Sequence, residues 1–124
     1  MAIHYVPPIS VTSKRLILDN EKLRRANAKV PTATAFKYGD LLILSDTNVL
    51  AHATDEKTWD VICGQNVTAA EATIKAADGI EIPVYYGGVF NVEAVSLNGT
   101  LLTTAQYDAA RAQATKNKIE LSKV

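Results

Sequence analysis

Apolar positions along this chain fall in short bursts separated by turn residues, and the densest burst lies late, between Val84 and Val95. Tyr85, Tyr86 and Phe90 sit there among valines, residues that suit a pleated, half-buried surface. Gly87-Gly88 interrupts the run with residues that tolerate bulges and close backbone approach. The pattern predicts two short strand segments joined through a glycine kink, with the domain built around them.

Upstream, Leu41 to Leu44 is a continuous apolar run too short for a helix, which predicts a strand. Ser45 to Asn48 supplies turn residues, and Val49 to Ala53 can return as the partner. Trp59 to Gly64 resumes a strand pattern, with the tryptophan covering one end of the core. Thr68 and Glu71 have capping-box spacing, but the stretch before Asp78-Gly79 is short, so residues 68–77 read equally as a single helical turn or a loop. Ile80, Ile82 and Val84 alternate with Glu81 and Pro83, and a proline inside a strand points to an edge or a bulge. Leu97-Asn98-Gly99-Thr100 carries the Asn-Gly pair of a tight hairpin turn. Thr103 with Gln106 makes a second capping box ahead of a helix from Thr104 to about Lys116, with Tyr107, Ala110, Arg111 and Ala114 on one side. Ile119 to Val124 alternates at period two and predicts a final strand. The fold class expected is α+β: a small mixed domain of short strands, one main C-terminal helix and an extended N-terminal arm.

That arm is the part least like the rest. Residues 1–13 contain Pro7-Pro8, which forbids a helix, among the apolar Ile3, Tyr5, Val6, Ile9 and Val11. Such a segment is either an edge strand of its own domain or an arm that pairs with a partner's sheet edge. Residues 14–29 follow, with Asp19 or Asn20 able to cap a short helix through Ala28. Val30 to Thr34 reads as an extended linker. The expected division is therefore residues 1–34, arm and basic linker, and residues 35–124, the packed core. Removal of residues 1–30 is expected to leave that core folded.

Composition adds limits. At 124 residues with 48% hydrophobic and 21% charged content, the chain is one ordinary globular domain. Net charge is zero, yet residues 1–40 hold seven bases against three acids while the remainder holds six against ten. The basic cluster includes Lys14, Arg15, Arg24 and Arg25. It is either a solvated face or a contact for an acidic partner, and it has no interleaved aromatics to stack nucleic-acid bases. One cysteine, Cys63, excludes an internal disulfide and reads as a buried small hydrophobe. No apolar run approaches the length of a membrane span, and the start lacks the order of a secretory signal, so synthesis in a cytoplasm is expected.

Catalytic chemistry is hard to assemble from these residues. His4 and His52 lie far apart and form no helical metal pair. Asp55, Glu56 and Asp60 cluster in a polar loop, and Gly87-Gly88 lacks the lysine and hydroxyl of a phosphate loop. The expectation is a protein with no catalytic residues, no cofactor and no metal.

From about Ala35 to Val124 the chain resembles the lambda-type head decoration proteins of tailed bacteriophages. The resemblance rests on the early apolar segment Leu41 to Leu44 with its polar turn, the block from Tyr85 through Gly88, Phe90 and Glu93 to Val95, the C-terminal helix, and the short apolar-polar ending. It implies a non-enzymatic protein that binds the outside of the mature head as homotrimers at three-fold positions and stabilises it against internal DNA pressure. The major capsid protein would be the partner, with no direct nucleic-acid or membrane contact. The arm residues Ile3, Tyr5, Val6, Ile9 and Val11 would attach by strand pairing with it, and Lys14, Arg15, Arg24 and Arg25 would add electrostatic contacts. Residues 12–34 are more elaborate than the short arm of that family. Alternative expectations are another virion structural role, as a head fibre anchor or head-tail joining component, or a small ligand-binding subunit with a pocket under Tyr85, Tyr86 and Trp59.

Overall fold

One long ribbon organises the molecule, a computed structural model that describes residues 14–123. Its two strands are β1 (Ile17–Lys29) and β5 (Glu81–Asn91), paired antiparallel. Between them in sequence come β2 (Leu41–Leu44), β3 (Leu50–His52), β4 (Val61–Cys63) and helix α1 (Ala69–Asp78). After β5 follow the hairpin β6 (Ser96–Leu97) and β7 (Thr100–Leu101), helix α2 (Tyr107–Lys116) and β8 (Ile119–Ser122). The main sheet runs β1-β5-β4-β2-β3, with β8 added parallel to β5. Its ends meet: Lys29 bridges Val49, and the Lys29 N–H donates to the Asn48 carbonyl at 2.9 Å. The short strands therefore curl into a small closed barrel from which the far half of the ribbon projects. The fold is a mixed α+β one, as the hydrophobic pattern implies.

Period-two alternation divides the apolar side chains between two cores. Leu42, Val61, Cys63, Ile82 and Val84 point into one cluster with Ala28, Val30, Phe36 and Leu50, sealed by Ala72 of α1. Their neighbours Leu41, Ile62 and Tyr85 point into the other, with Trp59, Phe90, Val92, Val95, Ile119 and Leu121. There Ala110 and Ala114 of α2 are fully buried, because alanines let the helix axis approach the sheet closely. Each fully buried leucine, isoleucine or phenylalanine contributes about 1.5–3 kcal/mol relative to exposure. Trp59 covers the second core, as its position suggests. Its carbonyl also accepts from Gln113 Nε2 at 3.1 Å and Asn117 Nδ2 at 2.7 Å, tying the loop before β4 to α2.

Local signals are realised closely. Both Thr68–Glu71 hydrogen bonds of the capping box form, and a ten-residue helix follows, ended by Gly79 at φ 69°; the open choice over residues 68–77 resolves to helix. The Thr103–Gln106 box also forms, over a 3-10 turn that leads into α2. Asn98 and Gly99, at φ 49° and 84°, make the tight turn of the β6–β7 hairpin.

Four expectations are corrected. The helix proposed from Asp19 or Asn20 through Ala28 is instead strand β1. Its pairing along β5 overrides the helix propensity of its Ala, Arg, Lys and Leu residues, as tertiary context often does. Residues 14–29 are thus no linker: Leu16, Ala28 and Val30 are buried in the two cores, so packing continues through the expected division near Ala35, and residues 1–30 include an essential part of the sheet. Pro83, expected at an edge or a bulge, lies in the central strand at a regular position of its pairing with β1. Its carbonyl accepts from the Gly64 N–H at 3.0 Å, just past the end of β4. Because N and O of one strand residue face the same side, the missing N–H falls where no strand needs it. Finally, residues 84–95 form one strand as far as Asn91, not two segments, and then a 3-10 turn over Val92–Ala94.

Candidate interaction surface

The glycine pair acts on the neighbouring strand rather than as a break in its own. Asp19 pairs with Val89 and Arg24 with Gly87, so Asn20 to Leu23 face the single residue Gly88 in a wide bulge. Gly88 has φ +131°, and a Cβ there would lie 3.2 to 3.3 Å from Leu23 and from the Phe90 ring. At Gly87 a Cβ would meet the Arg24 side-chain stem at 3.1 Å. The two glycines form a floor on which Leu23 and the arginine stem lie.

Beside that floor opens a cleft of about 1190 Å³, walled by Lys22 and Arg24 of the bulge, Tyr86 of β5, Asp60, and Asn117 and Lys118 after α2. Its charges are mixed, since Glu21 and Glu120 also line it. A smaller, apolar groove of about 540 Å³ lies between Ala35–Lys37 and the start of α1. Of the three residues under which a pocket is expected, Trp59 is fully enclosed and Tyr85 nearly so, both within the core, and Tyr86 alone reaches the cleft.

The basic residues do not form one patch. Lys14 pairs with Glu93 at 3.1 Å, a half-exposed contact worth at most about 1 kcal/mol. It fixes the chain next to Leu16, whose carbonyl accepts from the Asn91 N–H at 2.8 Å. Arg15 is exposed at the same end of β1. Arg24 and Arg25 lie beyond the bulge with a register shift between them, and of the two only Arg24 lines the cleft. The arm residues Ile3, Tyr5, Val6, Ile9 and Val11, with His4, lie outside the described residues.

The principal buried polar cluster escapes sequence reasoning. Asp40 is almost fully buried. Its carboxylate accepts from the Lys37 and Gly99 N–H groups at 2.8 and 2.9 Å and from the Ser96 hydroxyl. Three donors compensate its desolvation, and the carboxylate thereby staples the β6–β7 turn to the segment before β2. No nearby sequence signal marks it, because Ser96 and Gly99 are 56 and 59 positions away. His52 touches this cluster: Nε2 lies 2.7 Å from the Ala35 carbonyl and must donate to it, while Nδ1 is 3.8 Å from Asp40. Ser96 donates to the Asp40 carboxylate, and His52 Nδ1 makes no hydrogen bond to that hydroxyl.

Cys63 is wholly buried, with its thiol donating to the Gln65 carbonyl at 3.0 Å. Burial pushes that thiol up to about 11. Among the described residues no group of three or more His, Cys, Asp or Glu side chains could hold a metal ion, and no helix is long and apolar enough to cross a membrane. No known protein-family model matches the chain, and a search of curated proteins returns no match.

Proposed function

We propose that the chain is a non-enzymatic bacteriophage head decoration protein, bound as trimers on the outside of the mature capsid and stabilising it against the pressure of packaged DNA. The order of sequence elements suggests the family. The observation that carries the reading is the fixed base from which the arm departs. Leu16 is buried, its carbonyl is bonded to Asn91, and Lys14 is paired with Glu93. An arm that must find a strand partner on another protein works best from a rigid anchor, since little orientational freedom is then lost in docking.

Ordering such an arm costs about 1–2 kcal/mol of backbone entropy per residue. Main-chain pairing with the capsid protein and burial of Ile3, Tyr5, Val6, Ile9 and Val11 must exceed that cost. Three arms on one trimer raise the effective concentration of each, so individually weak contacts hold together. Lys14, Arg15, Arg24 and Arg25 would steer the approach to an acidic capsid surface.

Co-sedimentation with purified expanded heads of the encoding phage tests the reading. The full chain should saturate the heads at a fixed stoichiometry. A variant with the five apolar arm residues changed to serine should keep its circular dichroism spectrum but stay in the supernatant. Equal uptake of both would overturn the arm's role, and no uptake of either would overturn decoration.

A further inference from the structure

Among the described residues β1 has a single strand neighbour along its length, β5. Its other edge is closed only at the end, where Lys29 bridges Val49 and Asn48 Nδ2 donates to the Asn27 carbonyl at 3.1 Å. From Leu23, the last residue of the bulge, to Ala26 the chain stays in β1, with one further register shift between Arg24 and Arg25, and has no second strand beside it among the described residues. Outward N–H and C=O groups on such an edge are a template for an added strand.

The flanking side chains say which strand. Arg24 lines the cleft beside Lys22, with Glu21, Asp60 and Glu120 in the same lining, whereas Arg25 is exposed outside it. Among the described residues none of these three bases has a carboxylate within ion-pair distance. The Arg24 stem rests along Gly87, which restricts where its guanidinium can go. An incoming strand would therefore meet Arg24 in the cleft and Arg25 outside it.

We propose that the β1 edge from Leu23 to Ala26 receives an extended acidic segment of a partner protein, added as a strand, with carboxylates meeting Arg24 and Arg25. This goes beyond the decoration reading, in which the chain donates a strand; here it accepts one. Two other occupants fit poorly. A second copy offering the same edge would set arginine against arginine, and residues 1–13 contain no Asp or Glu and are broken by Pro7-Pro8.

The test uses the full chain and a labelled synthetic peptide, Thr-Val-Thr-Asp-Glu-Thr-Val-Thr, beside its Lys-Arg counterpart. The acidic peptide should bind saturably by fluorescence anisotropy, more weakly as salt rises, and should slow hydrogen exchange at the outward amides of Leu23 to Ala26. Changing Arg24→Glu and Arg25→Glu together should weaken it by roughly tenfold or more, and the same variant should gain affinity for the Lys-Arg peptide, which also shows that it is folded. Equal binding of both peptides to the native chain would overturn the proposal. So would protection of those amides before any peptide is added, since the chain itself would then cover the edge. Head uptake with failed peptide binding would leave decoration standing and this inference refuted.

Discussion

At the scale of single residues, Gly88 and Cys63 show how much one position can decide. The φ of +131° at Gly88 lies in a region almost restricted to glycine, and a Cβ there would press on Leu23 and Phe90. Gly88→Ala should therefore destabilise the protein by about 1–3 kcal/mol in urea unfolding, with the loss appearing as a lower midpoint at unchanged slope. Cys63 makes a pH prediction. Its folded thiol ionises near 11, above the ordinary value of 9.0, so between those values the unfolded chain has released its proton and the native one has not. Stability from this group is constant below about pH 9 and is lost as pH rises towards 11, by about 2–3 kcal/mol for a shift of this size. Tyr38 is shifted the same way, by burial and then by Tyr85, so the Cys63 share is the difference between native and Cys63→Ala unfolding curves across that range. If the two curves run parallel from pH 8 to 11, the thiol does not titrate as stated.

At the scale of elements, legibility follows the range of the interactions that make each one. Both capping boxes and the Asn-Gly hairpin rest on neighbours within a few positions, and β2, β4 and β8, though paired with distant strands, carry their own apolar runs or alternation, so sequence reveals them. Strand β1 does not, because its outer side chains are charged and its few apolar ones, such as Leu23 and Ala28, are spaced irregularly around a bulge. Only the complementary edge of β5, some sixty positions on, makes it a strand. The Asp40 staple and the Lys29–Val49 closure are hidden for the same reason, and the cleft exists only where four distant segments meet. Helix α1 is the opposite case, a local element with little tertiary support, since Ala72 is its only buried residue. Its capping box should then matter more than usual. Thr68→Ala should cost about 1 kcal/mol and speed hydrogen exchange in α1 well before the rest of the molecule. The Glu71 carboxyl is held below the ordinary range by the Thr68 N–H and then by its hydroxyl. That support is present above the usual Glu range and fades as pH falls through the lowered value, so α1 should fray early in acid. Uniform exchange across the protein in the Thr68→Ala variant would count against this picture.

At the scale of the whole molecule, two cores share one bent sheet, and β1 contributes to both. Deleting residues 1–30 removes Leu16 from one core and Ala28 and Val30 from the other. That truncation should give a chain without cooperative unfolding, checked by near-ultraviolet circular dichroism and a thermal scan. A cooperative transition near that of the intact protein would show that the rest of the sheet closes alone.

The ribbon has a mechanical consequence. Ile17 pairs with Phe90 from one side and Leu121 from the other, β1 antiparallel and β8 parallel to β5. The first and last paired residues of the main sheet thus stand at the same end of the ribbon, about 10 Å apart across two strand spacings. Tension drawn between them would load one rung at a time and peel the outer strands away from that end. Tension applied at residue 17 of β1 and at Glu81 of β5, the residue paired with Lys29 at the far end, would instead load the β1–β5 rungs together, in shear, and meet far greater resistance.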